Sequence, residues 1–318
     1  MKADYLLSML VACLVTLIAT LYVADLQVTF EPHLLLPILN SIFLAAIPYF
    51  SSFTAARLFL SVGRVPLLLV GSGMLALGGG GLLSGWFIGD AGGPNITITI
   101  YNSSALLCSI LLLFGEITIS VAPAWNPFSN RVRSLLTMYL CVFVFVGGVV
   151  YLDTSGLIAS FIVQGKGPTL LGRSVLILTI ISFGLSAVLS LKHYYKSGTQ
   201  LLRWYSTGLL LLATGLTGVL LQKIVGSPIG WVGRSSQYAG AVCILIGVLS
   251  FWRTKISTGL SLGETLAELS QKRISELEQI NADLKQLTQE MNIILEYAPI
   301  GIHLSISDTS AKQLILLT

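Results

Sequence analysis

Charged residues are scarce in this chain. Asp, Glu, Lys and Arg make up 10% of its 318 residues, whereas soluble domains carry about 25%. Hydrophobic residues make up 54% of the chain, and the mean hydropathy is +0.85. This composition excludes an ordinary soluble domain. It predicts an all-α integral membrane protein, because a helix satisfies its own peptide groups in hydrocarbon.

Cysteine and histidine are also rare. The four cysteines lie singly on separate apolar runs and show no CxxC spacing: Cys13, Cys108, Cys141 and Cys243. The three histidines are scattered along the chain: His33, His193 and His303. These residues form no pattern typical of a metal site or a catalytic triad. The sequence therefore predicts no cofactor, no metal ligand and no catalytic residue.

What the chain has in abundance is long apolar runs, each about the 20 residues that a helix needs to cross a bilayer. The predicted spans are Tyr5–Val23, Leu34–Phe53, Pro66–Ile88, Ile98–Val121, Ser134–Leu152, Val175–Leu191, Trp204–Leu221 and Gln237–Trp252. We therefore expect an eight-helix transmembrane bundle over residues 1–255.

The positions of the cations predict its orientation. With a cytoplasmic amino terminus, ten cations fall on the inner side: Lys2, Arg57, Arg64, Arg131, Arg133, Lys192, Lys196, Arg203, Arg253 and Lys255. Four fall outside: Lys166, Arg173, Lys223 and Arg234. The positive-inside rule then favours a multi-pass protein of the cell membrane with both termini in the cytoplasm. Since topology explains the basic residues, no nucleic-acid partner is predicted.

Three polar residues within the predicted spans are candidate contacts for a ligand. Glu116 is the only acid well inside an apolar run, and an ionisable group at that depth usually marks function. Alternatively, it snorkels to the membrane surface or pairs with an inner arginine such as Arg131 or Arg57. Asn40 and Asn102 are either hydrogen-bonding groups between helices or further ligand contacts.

Two outer loops combine glycine, proline and cations. The fifth contains Gln164, Lys166 and Arg173, and the seventh contains Trp231 and Arg234. Glycine beside a cation suits an anionic ligand or a lipid head group, because backbone N–H groups can approach it closely. These five residues are therefore candidate ligand contacts. Interfacial anchoring by Trp231 and Arg234, or pairing of the cations with the outer acids Asp90 and Asp153, would also explain them.

Glycines at four-residue spacing, Gly81, Gly85 and Gly89, predict a groove on the third span. The groove would accept either another helix of the same chain or a second copy of the chain.

A charged heptad segment follows the bundle over residues 256–295. Its apolar positions alternate in steps of three and four: Leu277, Ile280, Leu284, Leu287, Met291 and Ile294. This spacing predicts a helix that forms a parallel homodimeric coiled coil. An amphipathic helix on the membrane or on the bundle is the alternative, although membrane-surface helices are usually basic and this one is acidic.

The segment Met291–Ile302 resembles the opening of a PAS domain, in which a short helix ending at Ala298-Pro299 leads through Gly301-Ile302 into the first strand. Residues 34–252 resemble the multi-span sensor regions of prokaryotic PAS-containing histidine kinases and diguanylate cyclases. The similarity lies in 164–169 (QGKGPT) and in 226–234 (GSPIGWVGR), followed by Gln237-Tyr238. Residues 296–318 would then be an incomplete PAS fragment.

The resemblance implies a sensory input module for a two-component or cyclase system. It would relay a small ligand, a lipid or a membrane state through a dimeric coiled coil to a cytoplasmic output. The chain has no phosphoacceptor histidine motif, glycine-rich ATP box or GGDEF sequence, so we expect such catalysis beyond Thr318. The alternatives are a small-molecule transporter, a membrane-bound enzyme, or a structural anchor.

Overall fold

The computed structural model describes residues 2–26, 28–30, 32, 34–89, 92–121, 128, 130–163, 165–258 and 262–297. Contacts divide the chain into two compact units, Met1–Gly259 and Leu260–Thr318. The boundary lies near the predicted end of the bundle at residue 255. All but the first two residues of the predicted PAS fragment, 296–318, lie outside the described residues.

The first unit is built almost entirely of helices. In chain order they are α1 (Lys2–Ala24), α2 (Leu35–Leu39), a π-helical segment (Asn40–Ala46), α3 (Ile47–Val62), α4 (Val65–Trp86), a 3-10 turn (Phe87–Gly89), α5 (Gly93–Val121), α6 (Arg131–Thr154), α7 (Leu170–Ser197), α8 (Gln200–Leu221) and α9 (Pro228–Thr258). A hairpin of two strands, each two residues long, lies between α6 and α7: β1 (Ile162–Val163) and β2 (Gly167–Pro168).

Seven helical stretches of the described chain are long and apolar enough to cross a membrane. They are Leu35–Val62, Val65–Gly89, Gly93–Val121, Arg131–Thr154, Leu170–Ser197, Gln200–Leu221 and Pro228–Ser250. In α1, Met9–Ala24 is a shorter apolar helix. The mostly helical architecture, with several helices able to span a membrane, is thereby confirmed, whereas the count of eight spans stays a prediction.

The prediction of a seventh outer loop reaching Arg234 was wrong, because α9 already begins at Pro228. Proline suits the first turn of a helix, where its missing N–H has no partner to lose. The glycines that suggested a loop instead allow close packing: a Cβ at Gly233 would lie 2.7 Å from the carbonyl oxygen of Gly215 on α8. Trp231 and Arg234 therefore lie on a helix.

The fifth outer loop is also more ordered than the sequence indicated. Its glycines flank Lys166 in the hairpin turn, and both have a left-handed backbone, with φ of 81° at Gly165 and 87° at Gly167. Glycine adopts this conformation at little cost, so turn geometry accounts for the motif. Arg173 lies in the first turn of α7, and Gln164 lies outside the described residues.

The second predicted span is a single helical path from Leu35 to Val62 that widens into π-helix over Asn40–Ala46. Pro48 lies two residues after the end of this segment, and it cannot donate a hydrogen bond to the carbonyl group of Leu44. The break in the hydrogen-bond pattern therefore has a local cause. Widened turns of this kind are frequent at functional sites.

The glycine groove of α4 is filled by this same path. A Cβ at Gly81 would lie 2.5 Å from the carbonyl oxygen of Leu44, and one at Gly85 would lie 3.0 Å from the Cα of Pro37. The groove thus serves packing within the chain, which is the first of the two alternatives.

At one end of the bundle the linkers between helices contact one another. Lys223 Nζ lies 2.7 Å from Asp25 Oδ2, and the Phe30 N–H donates to the Gly226 carbonyl group at 2.9 Å. The Gly165 N–H in the hairpin turn donates to the Lys223 carbonyl group at 3.2 Å. The fifth and seventh linkers therefore meet at one end of the bundle.

The second unit contains one unbroken helix, α10 (Leu262–Tyr297). Every described side chain from residue 275 to residue 292 is exposed. Those of Leu277, Ile280, Leu284, Leu287 and Met291 are 56–65% exposed. Within a single chain this helix leaves an apolar stripe uncovered.

Candidate ligand-binding cavity

A polar cavity lies between five helical elements, toward the end of the bundle that carries the hairpin. Its empty space is about 380 Å³ when the open solvent at its mouth is counted with it. Its lining comes from the α2–π path, α4, α5, α8 and α9: Leu36, Asn40, Leu44, Ser84, Thr97, Ile98, Tyr101, Asn102, Val219, Gln222, Arg234 and Gln237. In a largely apolar bundle this concentration of amides, hydroxyls and a cation is unusual.

Local geometry holds one wall of the cavity in place. Asn40 begins the π-helical segment, and its Oδ1 accepts a hydrogen bond of 2.8 Å from the Tyr238 hydroxyl on α9. On the opposite wall Thr97 Oγ1 donates to the carbonyl group of Ser84 at 2.9 Å, which ties α5 to α4. Both contacts cross between helices, so movement of α9 or α5 would alter the cavity.

Three amide side chains in the cavity have polar atoms without a hydrogen-bond partner in the described part of the chain. They are both Nδ2 and Oδ1 of Asn102, Oε1 of Gln222 and Nε2 of Gln237. Each of these residues is only 1% exposed. A buried polar atom left unsatisfied costs roughly 1–3 kcal/mol, so such groups normally have partners. Water or a bound molecule would satisfy them here.

Arg234 supplies the positive charge of the lining. Its side chain is 8% exposed, and its Cζ lies 5.1 Å from the centre of the Trp231 ring. The Trp231 indole N–H donates to the carbonyl group of Phe30 at 2.6 Å. Trp231 thus supports Arg234 and anchors the linker after α1, and it does not itself line the cavity.

The structure separates the eight candidate contacts. It brings Asn40, Asn102 and Arg234 into the cavity, although the sequence placed the asparagines and the arginine in different hypothetical sites. Lys166 is exposed in the hairpin turn, and Arg173 Nε donates to the carbonyl group of Pro168 at 2.9 Å. Neither residue lines the cavity. Gln164 lies outside the described residues.

The outer acids have other contacts than the sequence suggested. Lys223 pairs with Asp25, and Asp153 Oδ1 accepts a hydrogen bond of 3.5 Å from Asn95 Nδ2. Asn95 Oδ1 in turn accepts from the backbone N–H groups of Phe161 and Ile162. Asp153 therefore helps to position the hairpin, and Asp90 lies outside the described residues.

Glu116 lies far from the cavity. It follows Asn102 by 14 residues on α5, which is about 21 Å along a helix. Its side chain is 4% exposed, and its Oε2 lies 3.9 Å from His193 Nε2 on α7. His193 Nε2 also lies 3.2 Å from Ser120 Oγ. This is a separate polar cluster at the other end of the bundle.

The suggested pairing of Glu116 with an inner arginine was wrong. Arg131 donates to the carbonyl groups of Leu60 and Ser61, and the Arg57 guanidinium lies 5.0 Å from the Phe53 ring. Arg131 thus binds the last turn of α3, and Arg57 lies against a ring of its own helix. The neighbour of Glu116 is set by the packing of α5 on α7, which spacing along the sequence does not reveal.

Sequence reasoning missed five polar residues of the lining: Ser84, Thr97, Tyr101, Gln222 and Gln237. Gln237 was treated as the start of the last span. Had Pro228 been taken as the first residue of that helix, Gln237 would have been placed nine residues, or about 14 Å, inside it. A glutamine at that depth is as informative as a buried asparagine.

The chemistry of the cavity is hydrogen bonding combined with one guanidinium charge. Among the described residues no group of three His, Cys, Asp or Glu side chains could hold a metal ion. Comparisons with protein-family models, with curated proteins and with solved structures find no match.

Proposed function

We propose that this chain is a membrane-embedded sensory input module. A ligand in the polar cavity would shift the packing of an eight-helix bundle. The shift would pass through α9 and a dimeric α10 to a cytoplasmic output of the PAS-linked histidine kinase or diguanylate cyclase type. The observation that carries the proposal is the uncovered apolar stripe of α10, in a chain whose other unit has seven helices able to span a membrane.

The stripe supports dimerisation because its five exposed residues keep heptad spacing from Leu277 to Met291. Such residues pack against their copies in a parallel coiled coil and exclude water from the seam. A seam of this kind transmits rotation or sliding, because its packing depends on the register of both helices. The side chain of Ile294 lies outside the described residues.

The route from the cavity favours α9 as the moving element. Arg234 and Gln237 lie near its outer end, and the helix continues to Thr258, about 30 Å farther along the same axis. A ligand that binds one arrangement of α9 more tightly than another would shift the population between them.

A transporter or membrane-bound enzyme is the second candidate. It is favoured by the two polar clusters at opposite ends of the bundle, the cavity and the Glu116–His193 pair. Uptake of a bound solute by proteoliposomes would support it, whereas binding without uptake favours the sensor.

Orientation provides one prediction. The cation distribution predicts that reporters fused after Asp90 and after Thr258 lie in opposite compartments, outside and in the cytoplasm respectively. Paired alkaline phosphatase and fluorescent protein fusions would measure this. The same compartment for both fusions would contradict the eight-span arrangement.

A signalling fusion tests the function itself. Residues 1–297 joined in heptad phase to a histidine kinase catalytic core should give a membrane-bound kinase. We expect Arg234→Gln to change its autophosphorylation at least about tenfold, because one charged hydrogen-bonding contact contributes roughly 1.5–3 kcal/mol. Lys166→Gln, on the exposed turn, is the matched control and should leave the output unchanged. If the two variants showed equal autophosphorylation, the cavity would not take part in signalling.

A further inference from the structure

The unsatisfied atoms of the cavity have a definite hydrogen-bonding pattern. Asn102 Nδ2 and Gln237 Nε2 are amide donors, whereas Asn102 Oδ1 and Gln222 Oε1 are acceptors. All four belong to residues that are 1% exposed and line the same void. An occupant must therefore offer acceptors to one set of atoms and hydrogen-bond donors to the other.

The donor side suits a carboxylate. Two amide N–H groups and the guanidinium of Arg234 belong to residues of the same lining, and a guanidinium is the side chain best matched to carboxylate oxygens. The acceptor side suits a hydroxyl group better than an ammonium group. No Asp or Glu is among the described residues that line the cavity, so an ammonium ion would meet only neutral oxygens there.

We infer that the cavity binds a small hydroxycarboxylate, in which a hydroxyl group lies beside a carboxylate. The apolar side chains of Leu36, Leu44 and Val219 also line the cavity, so the carbon atoms of a small occupant would have apolar contacts there. This inference rests on the proposed function, because it names the chemical class of the molecule that the sensor would detect.

Three probes of similar size test the donor side and the acceptor side of the cavity separately. The full chain, purified in lipid nanodiscs without polyols, would be titrated calorimetrically with glycolate, acetate and ethylene glycol. We expect glycolate to bind at least tenfold more tightly than either of the others. Acetate lacks the hydroxyl and ethylene glycol lacks the carboxylate, so each leaves buried groups unpaired. Binding of acetate or of ethylene glycol equal to that of glycolate would overturn the inference. So would no binding by any probe, which would mean that the cavity holds water.

Two variants test the assignment of the atoms. Asn102→Leu keeps the approximate size but removes both a donor and an acceptor, and should weaken glycolate binding at least tenfold. Gln222→Glu keeps the shape, replaces a neutral acceptor by a negative one, and should weaken glycolate more than ethylene glycol. Lys166→Gln is the control that should bind glycolate normally. Thermal unfolding in the same nanodiscs reports whether each variant is folded.

Binding and signalling can fail separately. If glycolate binds but does not change the activity of the kinase fusion, the ligand site stands and the proposed signal relay is wrong. A kinase fusion that responds to Arg234→Gln while the purified chain ignores all three probes would retain the relay and overturn the ligand class.

Discussion

Replacing Gly233 by alanine is expected to destabilise the bundle by about 1–3 kcal/mol, the usual cost of overpacking a tight interior. The added Cβ would lie 2.7 Å from the carbonyl oxygen of Gly215 and 3.3 Å from the Cα of Gly218. Both neighbours are backbone atoms, which move only if α8 and α9 separate. Such glycine contacts matter for helix association in membranes, because lipid tails are as apolar as leucine and the hydrophobic effect does not drive helices together there.

Gly147→Ala in α6 is the matched control. A Cβ there would meet nothing within 4 Å, and alanine favours a helix more than glycine does. Its effect should be neutral or slightly stabilising. Unfolding of both variants by titration with dodecyl sulfate, followed by circular dichroism, measures the difference. Equal loss of stability would mean that α8 and α9 do not pack as closely as described.

Replacing Leu284 by aspartate is expected to weaken dimerisation by roughly a hundredfold or more. Leu284 lies in the middle of the apolar stripe and is 58% exposed in the single chain, so a partner helix would bury it. Each dimer loses two buried leucines, at roughly 2–5 kcal/mol for each large-to-small change in a core. The change also places two like charges in one seam.

Gln289→Asp controls for the added charge. Position 289 is exposed and lies off the stripe, opposite the seam in the heptad pattern. The dissociation of each variant can be followed by single-molecule photobleaching of the labelled full chain in nanodiscs or in dilute vesicles. Equal monomer fractions for the two variants would show that the stripe is not the dimer interface.

The membrane helices were predictable because hydropathy over about 20 residues is a strong signal. The start of α9 was missed because a glycine that lets two helices approach cannot be told from a glycine that forms a turn by sequence alone. Gly226, with φ of 84°, is a turn glycine, whereas Gly233 is a packing glycine. The two kinds of glycine can be distinguished only when the position of the neighbouring helix is known.

The cavity was partly predictable. A polar residue deep in an apolar run is conspicuous, so Asn40 and Asn102 were identified as candidates. Their association with Arg234 depends on which helices are neighbours, and local spacing contains no such information. The cations of the fifth loop do not line the cavity, and the glycines beside Lys166 are explained by its hairpin turn.

The proposal that α10 joins two copies of this chain in parallel can be tested by cysteine cross-linking in native membranes. With Cys13, Cys108, Cys141 and Cys243 replaced, single cysteines would be placed at each position from 275 to 292 and oxidised. A parallel dimer should give strong dimer bands at 277, 280, 284, 287 and 291 and weak bands between them, since seam positions face their own copies. Uniformly weak cross-linking of a folded chain, or bands without heptad period, would contradict it.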